Sequence, residues 1–393
     1  VAGFQKGSQD TMTYDFDGLI DRRGTDSVKW RLFGDDVLPM WVADMDFRSP
    51  EPVIRALCER VEHGIFGYGV EPPELREVLV QRLARLYGWA VPPEAIVFLP
   101  GVVVGLRAAC RAVAAPGDGV LVQTPVYPPI WHAWRDTGLS RHEMALTRGS
   151  DGRYTIDFEA LERAIDERTR IFVLCNPHNP VGRVFSAQEL ERMAEICLRH
   201  DVVICSDEIH GDLILSGYRH RPIASLAPEI AARAITLMAP SKTFNIAGLH
   251  CAFAVITDAG LRECFCAGQA GLVEHPSILD YAAALAAYRD GQPWLDELLP
   301  YLEANRDYLL EYVRTRLPGV SVGRPEGTYL AWLDCREAGI AGNVHEFFLQ
   351  RARVAVNDGA TFGPGGEGFV RLNFGCPRAT LTEGLERMRA ALL

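Results

Sequence analysis

Lys242 is the residue in this 393-residue chain best suited to do chemistry. Only three of the 40 basic residues are lysines, Lys6, Lys29 and Lys242. Arginine replaces lysine wherever charge alone matters, but a guanidinium cannot serve as a nucleophilic amine. Lys242 lies in Ala239-Pro-Ser241-Lys242-Thr243-Phe-Asn-Ile-Ala-Gly248, among small and apolar residues with no acidic neighbour. Such surroundings depress an amine pKa and free it for Schiff-base chemistry. An exposed structural lysine sits more naturally on a charged helix face.

Other polar residues recur just after short apolar runs. Leu99-Pro-Gly101-Val-Val-Val-Gly105 leads toward a helix, whose free N–H groups at Val102 and Val103 form an anion site suited to phosphate. A glycine turn before a helix is common, so this signal alone is weak. Tyr127, in Thr124-Pro-Val-Tyr127-Pro-Pro, can stack on a planar ring or be an ordinary aromatic in a Pro-rich turn. Cys175-Asn176-Pro-His178-Asn179-Pro180-Val-Gly182 carries two Asn-Pro steps and a glycine, which force a rigid loop and present Asn179 as a fixed hydrogen-bond donor. Asp207, in Ser206-Asp207-Glu208-Ile-His210, needs a cation or N–H partner as it leaves a buried run. A protonated ring nitrogen, a helix cap or an arginine each meets that need. Arg371 lies in the apolar run Gly368-Phe-Val-Arg371-Leu-Asn-Phe and needs an anion, either a substrate carboxylate or an internal Asp or Glu. Gly363-Pro-Gly365-Gly-Glu-Gly368 matches the dinucleotide glycine pattern, but no strand-to-helix unit surrounds it, so it reads as a loop leading to Arg371.

The elements that must hold these residues follow a regular pattern. The runs Ala95 to Leu99, Gly119 to Gln123, Arg170 to Leu174, Val202 to Cys205, Ala234 to Met238 and Cys251 to Ile256 are short and rich in Val, Ile and Leu. Each reads as a strand buried on both faces. Helix-like stretches alternate with them. In Ser186 to His200, Leu190, Met193 and Cys197 fall on one face, and Ser186 with Glu189 forms a capping-box pattern. The alternation predicts an α/β fold, a large domain whose mostly parallel mixed sheet lies between helices. Asp280 to Arg316 reads as almost wholly helical. Beyond it, Thr328 to Leu333, Ala352 to Val356 and Phe369 to Phe374 suggest a smaller α+β domain. The divisions expected are an N-terminal segment 1–47 packing on the small domain, a large domain 48–290 and a small C-terminal domain 291–393.

Composition narrows the class further. Hydrophobic content is 48% and charged content 23%, as in globular proteins. A net charge of −11 excludes general attraction to nucleic acid or anionic membranes. The ten cysteines show no C-x-x-C spacing, and Cys175 and Cys205 read as buried thiols of a cytoplasmic protein. No signal-peptide core, membrane-length apolar run or metal-ligand spacing stands out.

In their order along the chain, these motifs resemble fold-type I pyridoxal-phosphate enzymes of the class I/II aminotransferase family. Met40-Trp-Val-Ala-Asp-Met-Asp-Phe47, Cys175-Asn-Pro-His-Asn-Pro-Val-Gly-Arg-Val, Ser206-Asp-Glu-Ile-His and Ala239-Pro-Ser-Lys-Thr-Phe-Asn-Ile-Ala-Gly-Leu resemble its MalY/PatB-type C–S β-lyase subgroup. The resemblance implies that pyridoxal 5′-phosphate joins Lys242 and that Asp207 pairs with its ring nitrogen. It also implies that Asn179 bonds the ring hydroxyl and Tyr127 stacks on the ring. Val102, Val103 and Ser241 hold the phosphate, and His210 counts with this cofactor-binding set. Tyr68, in Phe66-Gly-Tyr68-Gly, reaches the phosphate from a second subunit, which implies a homodimer with a shared active site. Arg371, with Asn179 and Tyr127, receives the amino-acid substrate. Many aminotransferases carry a tyrosine where this chain has His210 and an arginine where it has His250; these departures favour the lyases.

The implied reaction is β-elimination from L-cystathionine or a cysteine S-conjugate, with Lys242 as general base. An aminotransferase using the same residues is the alternative. A non-catalytic regulator on the same fold is the third reading, disfavoured because binding alone needs no base.

Overall fold

The β-branched and aliphatic runs become strands because their side chains fill both faces of one sheet. The computed structural model describes residues 14–135, 137–271 and 274–393. Its main sheet has seven strands: β1 (Ile96–Leu99), β2 (Gly119–Thr124), β3 (Ser140–Ala145), β4 (Thr169–Cys175), β5 (Val203–Asp207), β6 (Ala234–Met238) and β7 (Ala252–Val255). Their spatial order is β1-β7-β6-β5-β4-β2-β3. Five strands from β6 to β3 run parallel, and β7 is antiparallel to both its neighbours. All six expected runs are strands. β3 was not among them, because as an edge strand it buries only Met144 and reads as a polar stretch.

Helix α1 (Val102–Val113) crosses the sheet closely. A side chain at Gly105 would put Cβ 2.8 Å from both Leu99 and Leu237, so glycine permits this approach. Helix α2 (Ala187–Arg199) begins with both halves of the expected capping box: Glu189 N–H donates to Ser186 Oγ (3.2 Å) and Ser186 N–H donates to Glu189 Oε2 (2.8 Å). Its apolar face, Leu190, Met193 and Cys197, is wholly buried. The expected long helix is two helices, α3 (Ile278–Asp290) and α4 (Gln292–Arg316), meeting at Gly291.

After α4 the chain forms a four-stranded antiparallel sheet: β8 (Ser321–Val322), β9 (Leu330–Asp334), β10 (Asn357–Asp358) and β11 (Phe369–Asn373), ordered β8-β9-β11-β10. Trp332 on β9 stacks on Phe369 at 5.1 Å. Helix α5 (Arg378–Leu392) closes the described chain. Near the start, Leu38–Pro39 pairs in parallel with Val354–Ala355, tying the opening segment to this C-terminal part.

The two sheets meet along a seam around Glu326. Its carboxylate, buried at 2% exposure, accepts from Arg183 Nε (3.0 Å), Arg153 Nε (2.8 Å) and Val184 N–H (2.8 Å). Arg183 also bonds both oxygens of Glu189. A buried pair with this many added hydrogen bonds meets the condition for offsetting its desolvation. All ten cysteines are free thiols, and Cys175 and Cys205 are buried as expected. No helix among the described residues is long and apolar enough to cross a membrane.

Candidate active site

Strand C-termini deliver the functional side chains, as open α/β sheets do. Val102, Val103, Tyr127, Asn179 and Asp207 line a single cavity of about 470 Å³. His210, Ser241, Lys242 and Arg371 complete the set on its walls. Tyr68 stands apart, fully exposed on the loop between two N-terminal helices and away from this cavity.

Gly101 precedes α1 with no side-chain cap, so the first-turn N–H groups of Val102 and Val103 have no intrahelical acceptor. They face an anion-ready end of a twelve-residue helix. The loop after β4 is braced by His178, whose Nε2 lies 2.8 Å from the Pro125 carbonyl. Burial lowers that imidazole to a pKa of about 4, so it braces as a neutral ring. Asn179 N–H approaches Cys175 Sγ at 3.5 Å, and its amide oxygen accepts from Arg371 at 2.9 Å. Its side-chain NH₂ is not used in that bond.

Asp207 ends β5 almost fully buried, and Ile209 N–H donates to its Oδ1 at 3.1 Å. No arginine or lysine forms an ion pair with it among the described residues. Burial raises its pKa to about 6, opposed by the Ile209 bond, assisted by the Glu208 charge and opposed by Lys242. Behind it, Glu208 pairs with His220 at 2.8 Å, both sealed from solvent, and also accepts from Ser206 Oγ.

Lys242 follows β6 on a loop pinned from beneath. Thr243 Oγ1 donates to Asp212 at 3.2 Å, and Asp212 pairs with Arg82 at 2.8 Å. The Lys242 amine donates to the Ala43 carbonyl at 2.6 Å. Its pKa falls to about 8, first through desolvation and then through Arg371, against the pull of Asp44 and Asp207. Such an amine is partly neutral near physiological pH.

Arg371 is buried on β11 without a carboxylate partner among the described residues. Its donors go to neutral oxygens: Asn179 Oδ1, Asn357 Oδ1 (2.6 Å) and the Trp41 carbonyl (3.0 Å). Nε has no partner among the described residues. Burial lowers its pKa to about 10, which still leaves it charged. The internal Asp or Glu considered as an alternative is not there. His210 packs edge-on against Tyr329 at 5.9 Å; burial, then Lys242 and Arg371, lower it to about 3, so it is neutral. His250 lines the same cavity, and its backbone N–H donates to Asp280 Oδ1 at 2.9 Å.

Val42 and Ala43 also line the cavity; the sequence reading quoted Met40 to Phe47 as a motif but gave none of its residues a role in the site. Those residues act through carbonyls, which no side-chain pattern flags. Tyr329, whose hydroxyl donates to the same Ala43 carbonyl at 3.0 Å, was missed as well.

Comparisons with known proteins agree with this geometry. A family model described as aminotransferase class I and II matches residues 36–388. The chain is 45% identical over 390 residues to cystathionine beta-lyase PatB of Bacillus subtilis, covering 96% of this chain and 99% of that protein. It is 34% identical to protein MalY of Escherichia coli, covering 95% and 97%. The crystal structure of cystalysin from Treponema denticola, which contains a pyridoxal 5′-phosphate cofactor, superposes with a TM-score of 0.93 at 34% identity. That match covers 97% of this chain and 99% of that one.

Proposed function

The chain belongs to the aminotransferase class I and II family, and from that premise we propose that it is a pyridoxal-phosphate-dependent carbon–sulfur β-lyase. With one water it cleaves L-cystathionine or a related cysteine S-conjugate to a thiol, pyruvate and ammonia. One observation carries the reading: a partly neutral amine and a buried arginine without an anion share one cavity. The arginine suits a substrate carboxylate, and the neutral amine suits imine formation or removal of a proton, so the pair suits an α-amino acid. The likeness to cystathionine beta-lyase PatB turns the reading toward the lyase and away from the aminotransferase.

The donor set suits the cofactor. Asp207 is a buried carboxylate held by a single backbone N–H, and a cationic ring nitrogen meets its need for a partner. Val102 and Val103 N–H groups and the Ser241 hydroxyl would hold the phosphate. Tyr127 would stack on the ring, Asn179 would donate to its hydroxyl, and His210 would contact it as a neutral group. Bound there, pyridoxal phosphate supplies an electron sink for the pair left at the substrate Cα.

The chain's own residues do the rest. Arg371 fixes the substrate carboxylate, and Asn179 holds the guanidinium in place. Lys242, whose amine is partly neutral, would take the Cα proton. The leaving thiolate departs from Cβ without needing a strong acid.

Tyr68 lies on a loop where Ile65, Phe66 and Val70 are also exposed. Such an apolar stretch supports a homodimer in which Tyr68 reaches the partner's phosphate site. The same reading divides the chain at residues 47 and 290, with segment 1–47 packing on the small domain; residues 1–13 lie outside the described residues. Ten free thiols support a cytoplasmic location.

The test is catalytic release of pyruvate and thiol from L-cystathionine with no keto acid present. A single turnover that resumes only on adding a keto acid would overturn the lyase in favour of an aminotransferase. No reaction with any amino acid would favour the regulator.

A further inference from the structure

Lys29 is buried at 2% exposure, the second lysine enclosed in this lysine-poor chain. Its amine donates to Asp46 Oδ2 at 2.7 Å and to the Asp44 carbonyl at 3.1 Å. Asp46 also accepts from Trp30 Nε1 (2.9 Å) and Arg22 (2.6 Å). Burial would raise that carboxyl, but the Lys29 charge and hydrogen bond, with Trp30 and Arg22, hold it below its ordinary range. The clamp is reciprocal, because Trp41 Nε1 donates to the Lys29 carbonyl at 3.2 Å.

The clamped segment presents consecutive carbonyls to the site. Trp41 faces Arg371, Val42 faces Asn373 Nδ2 at 2.7 Å, and Ala43 faces both Lys242 and Tyr329. Asn245, on the loop of Lys242 itself, accepts from Met45 N–H at 2.8 Å and donates to the Met45 and Phe47 carbonyls. Segment and lysine loop are therefore one assembly, and Lys29 is its buried cation.

We propose that Lys29 is a positioning residue for Lys242, seating residues 41–46 so that the Ala43 carbonyl holds the Lys242 amine while it is free. The inference rests on the reading of Lys242 as the reacting amine. Once Lys242 has taken a proton it is an ammonium in a largely apolar pocket. An ammonium there needs an oxygen acceptor. The Ala43 carbonyl is that acceptor, and the Tyr329 hydroxyl fixes its direction. The charged groups facing the amine are Arg371, Asp207 and Asp44; His210 faces it as a neutral ring.

Competitive labelling of the full-length, cofactor-free chain with trace acetic anhydride across pH 6–10 tests this. Three lysines make the Lys242 peptide easy to isolate after cleavage at arginine. The wild-type amine should titrate near 8. In Lys29→Met the ammonium loses its acceptor, a loss that outweighs the stronger pull of an Asp44 no longer faced by Lys29 at 3.6 Å, so the midpoint should fall by about one pH unit. The double variant Lys29→Met/Asp46→Asn removes the pair without changing the net charge or leaving a buried ion unpaired, so it should move the midpoint the same way. It carries the test if Lys29→Met does not fold. A midpoint that stays or rises in the folded variants overturns the proposal. A lowered melting temperature with an unmoved midpoint would make Lys29 a structural residue only, and also overturns it. No substrate enters this experiment, so its failure is separable from failure of the lyase assay.

Discussion

Replacing Asp207 by asparagine should make the cofactor-free chain more stable at neutral pH. Burial raises this carboxyl from 3.8 to about 6. The folded chain thus holds the proton more tightly than the unfolded one. The stability that this gives is fully present below 3.8 and is lost as pH rises through about 6. Above that, the folded state carries an ionised carboxylate paired only with the Ile209 N–H. The loss amounts to about 3 kcal/mol across the window. Asparagine has nearly the same shape, keeps an oxygen for Ile209 and never ionises. The stability of Asp207→Asn relative to wild type should therefore grow by about 2–3 kcal/mol between pH 4 and pH 7.5. Urea unfolding of both cofactor-free chains at several pH values measures this directly. Loaded with pyridoxal phosphate, the order should reverse, because only the carboxylate pairs with a cationic ring. A gap that is the same at pH 4 and pH 7.5, or a variant less stable than wild type at pH 7.5, would refute the reasoning. Either result would show that the carboxyl already has a partner.

Lys242→Ala should abolish both the imine absorbance of the lysine-bound cofactor and pyruvate release; retained turnover would remove Lys242 from the reaction. Arg371→Met should raise KM for cystathionine about 100-fold, from loss of two charge-assisted hydrogen bonds, in steady-state kinetics. His220→Ala takes the ring partner from the sealed Glu208 carboxyl, whose Oε2 then faces no donor, so urea unfolding should show a loss of about 3 kcal/mol.

Residues that act through side chains at strand ends were legible in the sequence. Lys242 stood out by its scarcity and apolar surroundings, Asn179 by its rigid Asn-Pro loop, and Asp207 and Arg371 as charges in apolar runs; the fold brings all four to one cavity. The main sheet was legible wherever both faces are buried. It was not legible at β3, whose polar edge face hides the alternation. The opening segment was the larger omission. Met40 to Phe47 reads as an aromatic and acidic stretch, yet its part in the site is played by the carbonyls of Trp41 and Ala43. Backbone oxygens are common to every sequence, so only the folded geometry reveals which of them matter. The break between α3 and α4 was missed because Gly291 lies in a region of otherwise strong helical residues.

The seam around Glu326 constrains how the molecule can move. One carboxylate binds Arg183, Arg153 and the Val184 amide together, and the Ile214–Gly327 bridge lies beside it. Two rigid layers fastened along such a line can turn about it but cannot slide across each other. Sliding of the C-terminal sheet would break all of these bonds at once. Arg371, in register with Trp332 on that sheet, is thereby kept facing the Asn179 side chain supplied by the loop after β4.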